Sequence, residues 1–229
     1  IGDVPKSVSN EAIISSSSRT RAAEALRIVR TNLEFLLNEV PEGVAKTIFL
    51  TSTFPKEGKT FISVNLASII ALSDKKVLLL GLDIRNPKLE EYLDVPKVGV
   101  TNYLASKDHK NSADFLTKVE GFSNFYVIPT GVIPPNPAEL LMGKKVGELF
   151  EKLKQEFDYI IVDTAPVSLV TDTLLISKYA DAFVYVTRAN YLDKRMLTLP
   201  EKLYQEKHLP TLSLLINNTD STKRYGYDY

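Results

Sequence analysis

The stretch Lys46–Thr60 reads KTIFLTSTFPKEGKT, and it decides the fold of this chain of 229 residues. A short apolar run, Ile48–Leu50, is followed by a loop that contains proline and glycine, and helical spacing resumes over residues 61–72. A strand, a loop ending in Gly-Lys-Thr and a helix form the context in which that tripeptide binds phosphate. The N–H groups of the loop and the positive end of the helix dipole are expected to face an anion.

This loop contains most of the residues predicted to contact a nucleotide. Lys59 can reach the terminal phosphates, and the Thr60 hydroxyl can bind Mg²⁺. The predicted nucleotide contacts are Pro55, Lys56, Glu57, Gly58, Lys59, Thr60 and Phe61, with Asn217 as the choice for the adenine pocket. Thr53 stands where the standard pattern has its first glycine. Taken alone, the loop could therefore also be an ordinary strand-to-helix turn.

Two further stretches support the phosphate site. Residues 76–87, KVLLLGLDIRNP, and residues 158–166, DYIIVDTAP, are buried-type apolar strands that end in Asp83 and Asp163. Open α/β sheets hold ligands at the carboxyl ends of their strands, and Mg-nucleotide chemistry needs carboxylates beside the phosphates. The alternative is that both aspartates merely cap the elements that follow. The coincidence of three strand ends favours nucleotide binding.

The composition narrows the class of protein. Lys plus Arg and Asp plus Glu both number 28, so no overall basic field points to a nucleic acid partner. The absence of cysteine excludes disulfides, thiolate metal sites and cysteine nucleophiles. His109 and His208 lack a metal-binding spacing. No apolar run approaches the ~20 residues that a bilayer span needs, so the chain as given is expected to be soluble.

Strands alternate with helices along the chain. This pattern predicts an α/β fold with a mostly parallel central sheet and helices on both faces, a three-layer arrangement like that of P-loop NTPases. Residues 1–17 carry Gly, Pro and Ser without sustained periodicity, which predicts a linker. Residues 18–222 form the predicted P-loop domain, and residues 223–229 a flexible tail rich in tyrosine.

A helix with a second, polar stripe is predicted just after the linker. Glu24, Arg27 and Arg30 lie beside its apolar stripe at spacings of three residues. These side chains could be a solvated face with one weak ion pair, or a contact surface for a neighbouring subunit. From the residues alone the solvated face is the simpler interpretation.

These residues together resemble the cytoplasmic catalytic domain of the bacterial tyrosine kinases associated with capsular and extracellular polysaccharide export. The similarity covers essentially the whole chain. The matching segments are Glu24–Arg30 (the E-x-x-R-x-x-R helix), Thr51–Thr60 (Walker A), Leu80–Pro87 (Walker A′), Pro134–Leu141 (PPNPAELL) and Asp158–Thr164 (Walker B). Tyr225, Tyr227 and Tyr229 resemble the family's autophosphorylated C-terminal cluster.

The resemblance implies an ATP- and Mg²⁺-dependent tyrosine kinase that phosphorylates its own tail in trans. Its catalytic residues would be Lys59, Asp83, Arg85 and Asp163, with Thr60, Asp83 and Asp163 around the metal. The Glu24 helix would dock one subunit on the next in a ring, for which the family suggests an octamer. The chain would be the cytoplasmic part of an inner-membrane protein, joined to transmembrane and periplasmic parts. Its partners would be a tyrosine phosphatase and the export machinery.

One departure from the family pattern is serious. The Walker A′ motif usually has two aspartates, and Gly81 replaces the first of them here. Asp83 would then act alone in orienting the incoming phenol, or catalysis would depend on positioning and metal electrostatics. A catalytically weak regulator whose nucleotide state governs ring assembly is therefore one alternative. The other is an ATPase switch of the septum-positioning or plasmid-partitioning kind, although those proteins carry a lysine where this chain has Phe54.

Overall fold

Residues 1–6, 13–106 and 111–220 are described in a computed structural model, in which one sheet lies between two layers of helices. The strands are β1 (Gly2–Pro5), β2 (Lys46–Ser52), β3 (Val77–Leu82), β4 (Thr117–Lys118), β5 (Phe125–Ile128), β6 (Tyr159–Thr164), β7 (Ala182–Arg188) and β8 (Leu212–Thr219). The α-helices are α1 (Arg21–Leu36), α2 (Lys59–Ala71), α3 (Val100–Ala105), α4 (Pro137–Met142), α5 (Lys144–Glu156), α6 (Asp172–Ile176) and α7 (Thr198–Gln205).

The order of the strands across the sheet is β1-β8-β7-β2-β6-β3-β5-β4. Every neighbouring pair is parallel except β4 and β5, which are antiparallel. The three strands that were predicted to carry the phosphate loop and the two aspartates, β2, β6 and β3, lie side by side. Their carboxyl ends therefore meet at one edge, as the sequence predicted.

The two faces of the sheet are covered by different helices, which confirms the three-layer prediction. Helices α1 and α2 cover one face, where α1 packs on β1 and α2, and α2 packs on β2, β3 and β6. Their buried side chains, such as Leu26, Leu33 and Leu66, belong to the core on this face. The other core contains residues of α3 to α7, among them Phe150 and Leu153. The central strands are buried on both faces, which explains their unbroken apolar runs.

The edge strand β1 differs from the sequence prediction. Residues 1–17 were expected to be a linker, but Gly2–Pro5 pairs in parallel with β8. The hydroxyl of Thr219 also donates to the Asp3 carboxylate at 2.7 Å. Four residues are too few to show an alternating pattern, and an edge strand is held mainly through backbone hydrogen bonds, which the sequence does not reveal.

Other predictions lie partly or wholly outside the described residues. The tyrosine tail, residues 223–229, and His109 belong to the undescribed segments. Among the residues that are described, none of the helices is both long enough and apolar enough to span a bilayer. Helix α7 is preceded directly by a short 3₁₀ helix, Lys194–Leu197.

Candidate active site

The phosphate loop joins β2 to α2 and has the backbone geometry of an anion-binding loop. Gly58 precedes α2 with φ 90°, and Lys56 has φ 68°. A Cβ atom on Gly58 would lie 2.0 Å from the Asn217 amide nitrogen, so only glycine fits here. Within the described chain, the N–H groups of residues 56–60 donate to no protein acceptor. They are therefore available to an anion at the start of the helix.

The first residue of α2, Lys59, lies between the two predicted aspartates. Its Nζ atom is 3.1 Å from Asp163 Oδ1 and 3.4 Å from Asp83 Oδ2. All three side chains are buried, with Asp163 the most completely enclosed. The hydroxyls of Thr60 and Ser63 donate to Asp163 at 2.9 and 3.0 Å. One ammonium and two hydroxyls thus converge on the carboxylates at the joined strand ends.

The ionisation of this cluster follows from burial and proximity. Burial alone would lower the pKa of Lys59, but Asp163 and Asp83 outweigh it and the pKa is raised. Burial raises the pKa of Asp83, and the Asp163 carboxylate adds to this effect while Lys59 opposes it. Lys59 is therefore a fixed positive charge, and Asp83 is a better proton acceptor than an exposed aspartate.

The capping interpretation of Asp83 holds in part. Its Oδ1 atom accepts the Asn86 N–H at 3.1 Å, which is a local cap, while Oδ2 faces Lys59. Arg85 forms a bidentate ion pair with Asp172, with N–O distances of 2.7 and 2.9 Å. Asp172 is almost fully buried, so Arg85 balances its charge and also fixes the chain that follows Asp83.

A cavity of about 320 Å³ opens in front of these groups. The walls include the loop residues 54–60, Asp83, Arg85 and Tyr92. Asp163 lies beneath the floor, where it reaches Lys59 and Thr60. The predicted contacts Phe61 and Asn217 do not belong to the cavity wall: the Phe61 ring packs 6.3 Å from the Tyr92 ring, and the Asn217 amide donates to the Glu57 carbonyl.

Several residues of the site were not predicted from the sequence. Ser63 falls within the helical spacing of residues 61–72, and nothing in the sequence singled out Asp172 or Tyr92. Burial raises the pKa of Tyr92, which forms a wall of the cavity. No local pattern marks these residues, because their roles depend on contacts between distant segments. The spacing of Ser63, one turn after Lys59 on the same helix, was the one available indication.

Gly81, which stands where the family resemblance implies a first aspartate, is tightly enclosed. A Cβ atom there would meet Leu89 Cδ1 at 2.8 Å, Thr130 Oγ1 at 2.9 Å and Thr130 N at 3.0 Å. The Thr130 hydroxyl donates to the carbonyls of Gly81 and Asp83 at 3.1 and 3.4 Å. The volume that a first aspartate would need is therefore occupied by Thr130 and Leu89.

The donor set fits a magnesium–nucleotide. Free N–H groups, the Lys59 ammonium and the Thr60 hydroxyl suit phosphate oxygens and a hard cation. Within the described residues, His, Cys, Asp and Glu form no cluster of three or more that could hold a metal ion. An ion held by Thr60, Asp83 and Asp163 would therefore take further oxygen ligands from phosphate and water, as Mg²⁺ usually does.

Glu57 is a buried carboxylate inside the loop itself. Its Oε2 atom accepts the Phe54 N–H at 2.7 Å, while Oε1 has no hydrogen-bond partner among the described residues. Burial raises the pKa of Glu57 above its ordinary value of 4.5, although the Phe54, Arg188 and Thr53 backbones oppose the shift. The charged form of Glu57 therefore lowers the stability of the folded chain near neutral pH.

Substituting Glu57 by glutamine tests whether the charged form of Glu57 lowers the stability of the folded chain. An acid with a raised folded-state pKa contributes stability that is complete below pH 4.5 and is lost as the pH rises through the raised value. Glu57→Gln keeps an acceptor for Phe54 and removes the titration, so we expect a smaller fall in unfolding free energy between pH 5 and pH 8 than in the wild type. Denaturant unfolding without nucleotide measures this, with the exposed Glu42→Gln as the control. Parallel curves for wild type and Glu57→Gln would contradict it.

The residues predicted to mediate oligomerisation lie on α1, and their contacts are within that helix or near its start. Arg27 pairs with Glu24 at 2.5 Å and donates to the Ser18 carbonyl, and Arg30 is 3.8 Å from Glu34. The same helix exposes the large apolar side chains of Ile28 and Phe35, which are 60% and 69% accessible. Ile28 and Phe35 lie about two turns apart along this helix.

Comparison with known proteins shows which family and which relatives this chain is similar to. The model of the AAA domain family matches residues 45–194. The tyrosine-protein kinase Wzc of Salmonella typhimurium is 36% identical over 168 residues, which are 73% of this chain and 22% of that protein. The chain therefore spans about a quarter of the length of the curated relatives it matches.

Solved structures of tyrosine kinase domains and of a related fold are also similar to this chain. The kinase domain of the Escherichia coli tyrosine kinase ETK superposes with a TM-score of 0.85 at 27% identity, covering 100% of this chain and 93% of that domain. The septum site-determining protein MinD of Pyrococcus horikoshii, solved as a complex with Mg-ADP, superposes with a TM-score of 0.59 at 22% identity, covering 80% and 72%. The second similarity shows a shared fold only.

Proposed function

The chain belongs to the AAA domain family and, within it, to the bacterial tyrosine kinases, and from this premise we propose that it transfers a phosphoryl group from Mg-ATP to tyrosine hydroxyls. The observation that carries the proposal is the convergence of Lys59, Thr60, Asp83 and Asp163 beneath a loop whose N–H groups are free. This is the arrangement that phosphoryl transfer requires, because most of its catalysis is positioning and charge stabilisation.

The residues take distinct roles in this proposal. Lys59 would donate to the terminal phosphate oxygens, and Thr60 and Asp163, together with Asp83, would hold the metal shell. Bound Mg²⁺ neutralises charge on the phosphates. Asp83, at the cavity wall and with a raised pKa, orients the acceptor phenol and takes up its proton as the hydroxyl attacks. Arg85 keeps the strand end in place through Asp172.

The lysine pairings imply an order of events at the site. Asp163 and Asp83 hold Lys59 at 3.1 and 3.4 Å. Binding of a phosphate group would draw the ammonium towards the loop and release carboxylate oxygens for the metal shell. Asp163 can remain anchored by Thr60 and Ser63 during this exchange, which limits the reorganisation that catalysis would require.

Tail phosphorylation in trans requires a neighbouring copy of the chain. The exposed Ile28 and Phe35, beside Glu24 and Arg27, support α1 as the contact between copies, and the family suggests an octameric ring. Tyr225, Tyr227 and Tyr229 are the proposed acceptors. We place the chain on the cytoplasmic side of an inner-membrane protein that regulates polysaccharide export, opposed by a tyrosine phosphatase.

Intact mass spectrometry after incubation with Mg-ATP tests the kinase proposal. We expect additions of one to three phosphoryl groups to the wild type, and none to a variant in which the three tail tyrosines are phenylalanine. The initial rate per molecule should rise with protein concentration if the reaction occurs in trans, and Arg27→Ala should weaken that dependence. ATP hydrolysis without phosphotyrosine would favour the ATPase-switch alternative. Nucleotide-dependent assembly without either reaction would favour the regulator.

A further inference from the structure

Four consecutive carbonyl oxygens of the phosphate loop, those of residues 54–57, each accept a side-chain hydrogen bond. In order along the loop, the donors are Ser52 Oγ at 2.9 Å, Tyr191 OH at 3.1 Å, Arg188 Nη1 at 2.9 Å and Asn217 Nδ2 at 2.9 Å. Ser52 belongs to β2 beside the loop. The other three come from the β7–β8 end of the sheet, more than 130 residues away in sequence.

Holding these carbonyls fixes the direction of the loop's N–H groups. In a planar trans peptide the C=O and the N–H of one unit point in opposite directions. The carbonyls of residues 55, 56 and 57 share their peptide units with the N–H groups of Lys56, Glu57 and Gly58. Those three N–H groups are among the loop groups that donate to no acceptor in the described chain. With each carbonyl held on one side, each N–H is turned to the other.

The three distant donors are themselves held in place. Arg188, the last residue of β7, stands opposite Asn217 of β8 in the strand register. The Arg188 guanidinium lies 5.6 Å from the centre of the Tyr191 ring, so each side chain restricts the other. Asn217 is 9% accessible and packs directly against Gly58, where a Cβ would meet its amide at 2.0 Å.

We propose that Arg188, Tyr191 and Asn217 are positioning residues that form a carbonyl clamp, which presets the loop for the phosphates of the nucleotide. The inference rests on the proposed function, because it concerns how that nucleotide is held. It also gives Asn217 a different role from adenine contact. The clamp keeps the negative ends of three peptide dipoles away from the phosphates and lowers the ordering that binding would require.

Single substitutions remove one clamp hydrogen bond each. Tyr191→Phe deletes only the hydroxyl, and Arg188→Met deletes the cation and keeps much of the stem. We expect Tyr191→Phe to weaken Mg-ADP binding about threefold and Arg188→Met about tenfold or more, in line with neutral and charge-assisted hydrogen bonds. Arg188→Lys, which retains a donor, should recover part of the loss. Isothermal calorimetry on the 229-residue chain gives these dissociation constants.

A probe without a nucleoside separates the clamp from adenine recognition. Mg-tripolyphosphate should lose affinity by the same factors as Mg-ADP, because the clamp acts only on phosphate. Exposed matched controls, Tyr204→Phe and Arg195→Met, should leave both affinities unchanged. Melting temperatures without ligand should agree within the group, since the clamp bonds of Arg188 and Tyr191 lie at an exposed rim.

Three results would overturn the inference. Equal affinity of wild type and clamp variants for Mg-ADP would reject the clamp and leave the nucleotide site intact. A loss of Mg-ADP affinity without a loss of tripolyphosphate affinity would show that these residues contact the nucleoside. Failure of the wild type to bind either probe would instead reject the proposed function, and the clamp with it.

Discussion

Lys59→Met is expected to abolish measurable phosphotyrosine formation and, separately, to destabilise the protein without any ligand. The loss of a preorganised positive charge at the transferred phosphoryl group lowers rates by roughly 10²–10³-fold or more. The stability effect arises because Lys59 is the cation found between Asp83 and Asp163. Removing one partner of a buried ion cluster leaves uncompensated charge, which costs about 3–5 kcal/mol.

The pH dependence of that loss has a definite sign. Lys59 opposes the upward shift in the pKa of Asp83, so its removal raises that pKa further. A carboxyl group with a raised folded-state pKa contributes stability at low pH that is lost as the pH rises through the folded value. The stability deficit of Lys59→Met should therefore be larger at pH 8 than at pH 5, as measured by denaturant unfolding.

A second substitution separates the two effects of Lys59→Met. Adding Asp163→Asn removes one of the unbalanced charges, while the asparagine oxygen can still accept from Thr60 or Ser63. The double variant should recover part of the unfolding free energy and none of the kinase activity. If Lys59→Met were as stable as the wild type at every pH, the cluster would not be balanced by the lysine.

The central architecture of the site could be predicted because its determinants are local. Each of the three strands is a buried apolar run that ends in a recognisable group, and parallel topology brings the strand ends together. Asp83 and Asp163 follow from that rule, and Lys59 and Thr60 follow from the Gly-Lys-Thr loop between a strand and a helix. The direct contact of Lys59 with both carboxylates is consistent with the same rule, but the rule does not specify which side chains pair.

What could not be predicted depends on approach between distant segments. Asp172 is 87 residues from Arg85 in sequence, and the clamp donors are more than 130 residues from the loop carbonyls that they bind. No periodicity encodes such pairs. The burial of Glu57 could not be predicted either, because a glutamate in a polar loop is normally expected to be solvated. The edge strand β1 was missed since its pairing uses backbone atoms.

Gly81→Asp introduces the aspartate that the family resemblance implies at this position. We expect it to destabilise the protein and to leave the rate of the proposed kinase reaction no higher. The new Cβ would stand 2.9 Å from Thr130 Oγ1 and 3.0 Å from the Thr130 backbone nitrogen. The end of the flexible Leu89 side chain can move aside, but the Thr130 backbone lies only two residues after the end of β5. Overpacking of this kind costs about 1–3 kcal/mol.

The steric and electrostatic parts of this effect can be measured separately. Gly81→Ala should already show most of the stability loss, because the obstruction begins at Cβ. Gly81→Asp adds a third carboxylate near Asp83 and Asp163, which raises the pKa of Asp83 further and makes the additional loss grow with pH. Adding Thr130→Ala, which removes the hydroxyl contact, should return part of the stability. A Gly81→Asp protein that is as stable as the wild type and autophosphorylates faster would contradict this prediction. It would show that Thr130 and Leu89 leave room for the aspartate, and that a carboxylate at position 81 contributes to the reaction.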